Sequence, residues 1–288
     1  MHKKLISLAI ASALAAPFAA SAEEAAAPAS PLTFNVGVVS DYLFRGVSQT
    51  HGKAALQGGV DYAFENGFYV GAWGSTITWV KDWLGSGTTE IDVYGGYKNT
   101  FAGGDWSYDV GLITYNYPGH GGASPGNLAD PDTKEVYAAI GWKWLTAKYS
   151  HAISPYFIGW YGGANADLKT KGSDYLELNA NYDLGDGWTL VGHIGQQKVK
   201  NSVTTATLNS ASYSDWKIGV TKDIGYGVVG LSYSATDTKG TCPAAGAGSN
   251  PYCWGTNGNS SLTPVQAPNA NFRDVSKGTA VLSFTKAF

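Results

Sequence analysis

The residues of this chain that could do chemistry are charges spaced two apart. Along its alternating segments one parity carries Asp41, Asp61, Glu90, Asp92, Asp109, Glu135, Glu177, Asp183 and Asp215. Arg45, Lys98, Lys148, Lys217 and Lys277 fall on that parity as well, and so does His193. Successive side chains of a strand point to opposite faces, so charges held to one parity share one face. A face built this way can sort small ions, or it can pair its opposite charges across strands and fill the space between them. Its excess of four carboxylates favours cations. Arg45 is the individual base with most to offer: it can position an anionic solute or clamp a carboxylate such as Asp41 or Glu90.

Covalent and metal chemistry find less support. Acyl transfer needs a nucleophile, a base within hydrogen-bond reach and donors for the oxyanion. His51, His120 and His151 fall in or beside connecting segments, and no Gly-x-Ser-x-Gly elbow or other serine–histidine motif is present. The chain is therefore not read as an enzyme, and no cofactor is expected. His120, Asp130 and Asp132 lack the spacing of a metal site, so no metal is expected either. Cys242 and Cys253 are two closely spaced cysteines, which in an oxidising compartment read as one disulfide. They do not form a Cys-x-x-Cys motif, so a redox role is not indicated.

The compartment is set at the start of the chain. His2, Lys3 and Lys4 precede an apolar run from Leu5 to Phe18 that is too short to span a bilayer. Ala20-Ser21-Ala22 then supplies a small-x-small cleavage site, the pattern of a secretory signal peptide over residues 1–22. Residues 23–31 form an alanine- and proline-rich leader without alternation. Beyond residue 22 the balance is 17 basic against 22 acidic residues, which gives no footing for nucleic acid. Only 14% of the chain is charged, against about 25% in an average soluble domain. There are 18 tyrosines and 10 tryptophans, yet no run of 18 apolar residues follows the signal, so helical spans are excluded. A membrane barrel needs no such run, because only every second residue meets lipid.

The elements that would position the charges are strands. Twelve segments alternate with period 2: 32–45, 54–64, 68–75, 89–98, 106–117, 133–142, 145–153, 175–184, 188–199, 215–223, 228–237 and 276–288. In 175–184, for example, Leu176, Leu178, Ala180, Tyr182 and Leu184 oppose Glu177, Asn179, Asn181 and Asp183. The facing of 68–75 stays open, since both parities there carry aromatics. Long and short connections alternate strictly between these segments, six long and five short. Outer-membrane barrels have this pattern, with short periplasmic turns, longer extracellular loops and an even strand number. Phe64, Phe68, Trp106, Trp142, Trp144, Trp188, Tyr226 and Phe288 lie beside short turns, as one interfacial girdle requires. Tyr42, Phe44, Tyr117, Trp216 and Tyr233 lie toward the long loops, where the second girdle belongs. Phe288 ends the chain on an aromatic, as barrels of this kind end, and is expected to serve as the assembly signal. The expected fold is a twelve-stranded antiparallel transmembrane β-barrel over residues 32–288.

Four stretches resemble the TorF family of porins. They are Ser40-Asp41-Tyr42-Leu43-Phe44-Arg45-Gly46, Tyr69-Val70-Gly71-Ala72-Trp73-Gly74-Ser75, Glu90-Ile91-Asp92-Val93-Tyr94-Gly95-Gly96-Tyr97-Lys98 and Trp106-Ser107-Tyr108-Asp109-Val110-Gly111. The resemblance runs through most of the chain after residue 22 and is strongest in its first half. It implies a bacterial outer-membrane location and a channel role. Pore-lining positions are then expected at Asp41, Arg45, Asp61, Glu90, Asp92, Lys98, Asp109, Glu135, Lys148, Glu177, Asp183, His193 and Lys217. The expected partners are outer-membrane lipid and lipopolysaccharide, the barrel assembly machinery, and small solutes or ions. The alternative is a closed barrel whose long loops meet partners outside the cell. With twelve strands, between eight that fill their interior and sixteen that leave a channel, any bore is narrow and set by side chains such as Arg45, Tyr94 and Tyr137.

Overall fold

A computed structural model describes residues 30–120, 130–162, 168–202, 209–243, 249–255 and 272–288. The signal peptide expected over residues 1–22 and nearly all of the leader lie outside them. Twelve strands form one closed antiparallel barrel. In chain order they are β1 (Leu32–Val39), β2 (Ala55–Ala63), β3 (Phe68–Thr76), β4 (Thr89–Phe101), β5 (Trp106–Asn116) and β6 (Thr133–Trp142). They continue as β7 (Leu145–Ala152), β8 (Asp174–Gly185), β9 (Trp188–Lys198), β10 (Tyr213–Asp223), β11 (Val228–Thr236) and β12 (Thr279–Ala287). Each strand pairs with its neighbours in sequence, and β1 closes the ring against β12 from Asn35↔Ala287 to Val39↔Ser283. Beyond that register, Phe34 and Phe288 exchange both backbone hydrogen bonds, so the terminal residue still belongs to the seam. Closure leaves no edge with unpaired amides, which a sheet in hydrocarbon cannot tolerate.

Alternation decides which face is which. Leu56 (61% exposed), Val70, Ile91, Val93, Leu176, Leu178, Ile194, Ile218, Leu231 and Leu282 all point outward. Tyr69, Asp92, Asp109, Glu135, Glu177 and Asp215 point inward and are buried. An outward apolar belt around an inward polar face is the inverse of a soluble barrel and matches a lipid environment. For β3 the open facing is settled, with Tyr69 inside and Phe68 and Val70 outside.

The short-turn rim carries the expected girdle. Phe64, Phe68, Trp142, Trp144, Trp188, Tyr226 and Phe288 are exposed there, and Trp106 stacks on Phe101 at 6.0 Å. Its turns use glycine where the chain must reverse: Asp186-Gly187, with φ of 51° and 76°, is a two-residue hairpin of type I′.

The long-loop rim departs from expectation. Strand β1 ends at Val39 rather than Arg45, because the chain turns inward and pairs with itself. Leu43–Phe44 bonds to Val47–Ser48 around Arg45-Gly46, whose φ values of 49° and 80° make another type I′ turn. A Cβ on Gly46 would lie 2.8 Å from Thr236 and 2.9 Å from Asp215, so glycine lets this hairpin tip press against β10 and β11. Tyr42, Phe44 and Tyr117 are consequently buried inside and not in a lipid girdle, whereas Trp216 and Tyr233 are outside as expected, with ring centroids 5.7 Å apart. The connection 77–88 contains a short helix, α1 (Trp79–Leu84), that was not legible from alternation. Thr78 and Trp79 donate to the Gln49 carbonyl and fasten this connection to the first loop hairpin. Lys277, expected on the inner face, is exposed and precedes β12.

The apolar core of the molecule therefore sits inside the barrel, at its long-loop end. Trp79 packs edge-on to Tyr117 at 4.9 Å, Phe44 to Tyr115 at 5.5 Å and Trp160 to Tyr252 at 5.5 Å. The loop carrying Tyr252 and Trp254 is tied by the expected disulfide between Cys242 and Cys253. It is fixed to the connection just ahead of β10 by the Tyr252 hydroxyl, which donates to the Ala211 carbonyl at 2.5 Å. A void of about 30 Å³ remains between Phe44, Trp79, Phe157, Trp160, Tyr252 and Trp254. The buried aromatics of these loop segments together form a plug among the described residues.

Candidate functional site

Beneath the plug, the inward charges fall into three groups. The first is centred on Arg45, at the tip of the hairpin. Its Nη2 donates to Glu135 Oε2 at 2.7 Å and its Nη1 to Glu135 Oε1 at 3.2 Å and to Gln197 Oε1 at 2.6 Å. Its guanidinium lies over the rings of Tyr175 at 4.3 Å and Phe44 at 4.8 Å. Burial works against this charge, but Glu135 more than offsets it and holds the guanidinium firmly protonated. The clamp expected on Asp41 or Glu90 is thus made on Glu135, 90 positions away. Asp41 instead sits outside the strands and accepts from Ser48 Oγ at 2.5 Å and Thr50 Oγ1 at 2.9 Å, which brace the hairpin. Burial pushes the Asp41 carboxyl up from its ordinary range.

The second group joins β8, β9 and β10. His193 Nε2 lies 2.9 Å from Asp215 Oδ2, and its Nδ1 lies 2.7 Å from Asn179 Oδ1. The orientation of that amide follows from its nitrogen, which donates to Glu177 Oε2 at 2.8 Å. Tyr175 donates to Asp215 Oδ1 at 2.8 Å and also touches His193 Nε2 at 2.9 Å. The arrangement resembles a relay, but among the described residues no serine, threonine or cysteine is a hydrogen-bond partner of it, and its members satisfy one another. Lys217 is in register with His193 and lies within electrostatic reach of Glu177 and Asp215.

The third group joins the six strands from β2 to β7. Tyr69 donates to Asp109 at 2.7 Å and makes a very short contact with Tyr137. Lys98 lies 4.9 Å from the Tyr69 ring and Lys148 4.3 Å from the Tyr137 ring. Asp61 accepts from Tyr94 at 2.7 Å. These tyrosines lie flat along the wall because glycines face them. A Cβ on Gly71 would meet Tyr94 at 2.4 Å, and one on Gly111 would meet the Tyr137 hydroxyl at 2.5 Å.

Glu90 and Asp92, adjacent on the inner face of β4, lie beside the first group, with Glu135 facing Asp92, but take no part in its hydrogen bonds. Glu90 accepts from Tyr42 at 2.7 Å, and Asp92 has no hydrogen-bond partner among the described residues. Burial and the two carboxylates push the Tyr42 phenol well above its ordinary range, so it stays a donor.

Of the expected lining residues, Asp61, Glu90, Asp92, Lys98, Asp109, Glu135, Lys148, Glu177, His193 and Lys217 project from strands into the lumen, and Arg45 enters it from above. Asp183 is exposed at the short-turn rim, where its carboxylate accepts the Gly185 amide at 2.8 Å. Tyr94 and Tyr137 line the lumen as expected, whereas Gln197, Tyr69 and Tyr175 were missed, and for the last two only the register of Gly96 and Gly195 against them across strands could have signalled it. His120, Asp130 and Asp132, which show no ligand spacing in sequence, come within 4.8 Å of one another in space. Asp130 and Asp132 there accept backbone amides of the same connection at 2.9 Å.

Solved structures with a similar fold include the KdgM porin, at 9% identity and a TM-score of 0.45, with 89% of this chain and 98% of that one covered. The NanC porin aligns at 12% identity and a TM-score of 0.48, covering 89% and 98%. OprD of Pseudomonas aeruginosa aligns at 12% and 0.39, covering 90% and 66%. At such values nothing about solutes passes from them to this chain. No curated protein matches it. A family model matches residues 23–253, and the chain belongs to that family, described as bacterial protein of unknown function (Gcw_chp).

Proposed function

We propose that this protein is an outer-membrane channel of the porin type, passing small ions or solutes with a preference for cations, and that the described conformation is its shut state. The observation that carries this reading is the charge of the lumen. Ionisable side chains line the barrel on β2, β4, β5, β6, β7, β8, β9 and β10, with acidic groups in excess. Placing Arg or Lys against lipid near mid-membrane costs roughly 2–4 kcal/mol, so charge is confined to the interior, but nothing about stability requires so much of it there. A barrel that only needed filling would be served by apolar side chains, since buried ion pairs add little to stability. The TorF-like signatures around Arg45, Trp73, Glu90 and Asp109 accord with the same role. The plug, held down by Arg45 on Glu135, supports the shut state.

A second reading is favoured by the plug itself: a closed barrel that displays its loops to partners. Single-channel recording in planar bilayers separates the two. Discrete steps with a reversal potential toward the cation gradient support the channel. Silence from folded, heat-modifiable protein, both unmodified and with Arg45→Ala, overturns it.

A further inference from the structure

Glu90 and Asp92 stand two residues apart on one strand, so both side chains enter the lumen on the same side. They are 1% and 0% exposed. Both oxygens of Asp92 lack a hydrogen-bond partner among the described residues. The charged groups that face Asp92 are Glu90 and Glu135, and none of them is a base. The lumenal bases are engaged elsewhere: Arg45 by Glu135, Lys98 and Lys148 near Asp109, and Lys217 near Glu177 and Asp215.

A buried carboxylate with neither hydrogen bonds nor a counter-charge is among the costliest arrangements a protein can hold. A bound cation removes that cost, and the surroundings suit one. Once ionised, the two carboxylates would offer a cation two negative charges, and the phenol oxygen of Tyr42 lies on Glu90. The donors are oxygens, which hard cations select over softer metals. We propose that Glu90 and Asp92 form a binding site for one hard divalent cation within the lumen, beneath the loop plug. The proposal rests on the channel reading in that the ion reaches the site through the lumen, and it names the class of ion the lumen prefers.

The test uses purified, folded protein in detergent, refolded in calcium chloride or in choline chloride at matched ionic strength. Thermal unfolding and equilibrium dialysis with labelled calcium are measured on the same samples. The expected result is one calcium retained per barrel and an unfolding midpoint several degrees higher in calcium. Asp92→Asn should lose both effects, while melting in choline no lower than the unmodified protein, because it removes an unpaired charge. Glu90→Gln serves as the second variant if Asp92→Asn does not fold. Equal midpoints in both salts would overturn the site, as would a full calcium response in the variants. A midpoint that falls as pH rises, without any calcium response, would place a proton on Asp92 and overturn it too. Conductance is read separately. Channel steps without a calcium response remove the site and leave the channel, whereas a calcium response in a silent barrel does the reverse.

Discussion

Arg45 and Glu135 meet as a two-pronged pair, at 2.7 and 3.2 Å, although one comes from a loop tip and the other from a wall strand. Both side chains are almost fully buried, at 7% and 1% exposure. The pair is the polar anchor of the plug, and the two partners are not independent. Truncating either strands the other as an uncompensated buried charge, which costs about 3–5 kcal/mol. Arg45→Ala and Glu135→Gln should each lower the unfolding midpoint strongly and raise the open probability in bilayer recordings. Combining Arg45→Met with Glu135→Leu should recover much of the stability, because no charge is then stranded. A double variant as unstable as either single one would show that the pair does more than neutralise itself.

The strand faces can be tested one position apart. Leu178 is exposed on the outer face of β8, and an arginine there should cost roughly 2–4 kcal/mol and impair assembly. The inner neighbour Asn179 is not a neutral control, because it bridges His193 and Glu177. Asn181, two residues further along the same inner face, is the better one. Leu178→Arg should lose the heat-modifiable band on unheated gels, and Asn181→Arg should keep it. Equal losses would contradict the facing of β8.

The barrel itself was legible because lipid enforces alternation residue by residue. In β4, Ile91 and Val93 outside against Glu90 and Asp92 inside leave one solution for register and facing. The plug was not legible for the same reason in reverse. Tyr42 and Phe44 continue the apolar parity of β1, so alternation alone cannot tell a strand continuing through lipid from one folding into the lumen. The discriminating signal was Arg45-Gly46, which needs two positive φ angles. The partners of Arg45 were invisible because Glu135 and Gln197 lie on β6 and β9, and only closure of the barrel brings those strands to one hairpin tip. Helix α1 is too short for its period to stand out, and it forms where Trp79 and Val80 find a buried surface.

Gly195 and Tyr175 test the packing of the inner wall. A Cβ at residue 195 would lie 2.0 Å from the Tyr175 hydroxyl, which is already committed to His193 and Asp215. Gly195→Ala should displace that hydroxyl and cost about 1–3 kcal/mol, as overpacking does. The ring carbon Cζ would also lie 2.5 Å from that Cβ, so removing the whole ring is what makes room, and Gly195→Ala combined with Tyr175→Ala should melt close to Tyr175→Ala alone. Double-mutant analysis of thermal unfolding reads this directly.

His51 supplies a pH dependence outside the membrane strands. It lies in the first loop, with Nδ1 3.7 Å from Asp82 on α1 and Nε2 buried without a partner among the described residues. Burial lowers its pKa from the ordinary 6.5, reinforced by Arg273 and Lys53 and opposed by Asp82. A base whose folded pKa is depressed resists protonation only while folded. Its contribution to stability is therefore complete above the unfolded pKa of about 6.5 and is lost as pH falls through it, since the unfolded chain then takes up the proton first. The loops 40–54 and 77–88 should loosen as pH drops from 8 to 5. His51→Gln should flatten that part of the pH profile while leaving the fold in place. The measurement is protease sensitivity of the loops and the unfolding midpoint of both proteins across that range. A variant that follows the unmodified profile throughout would assign the acid sensitivity to other groups.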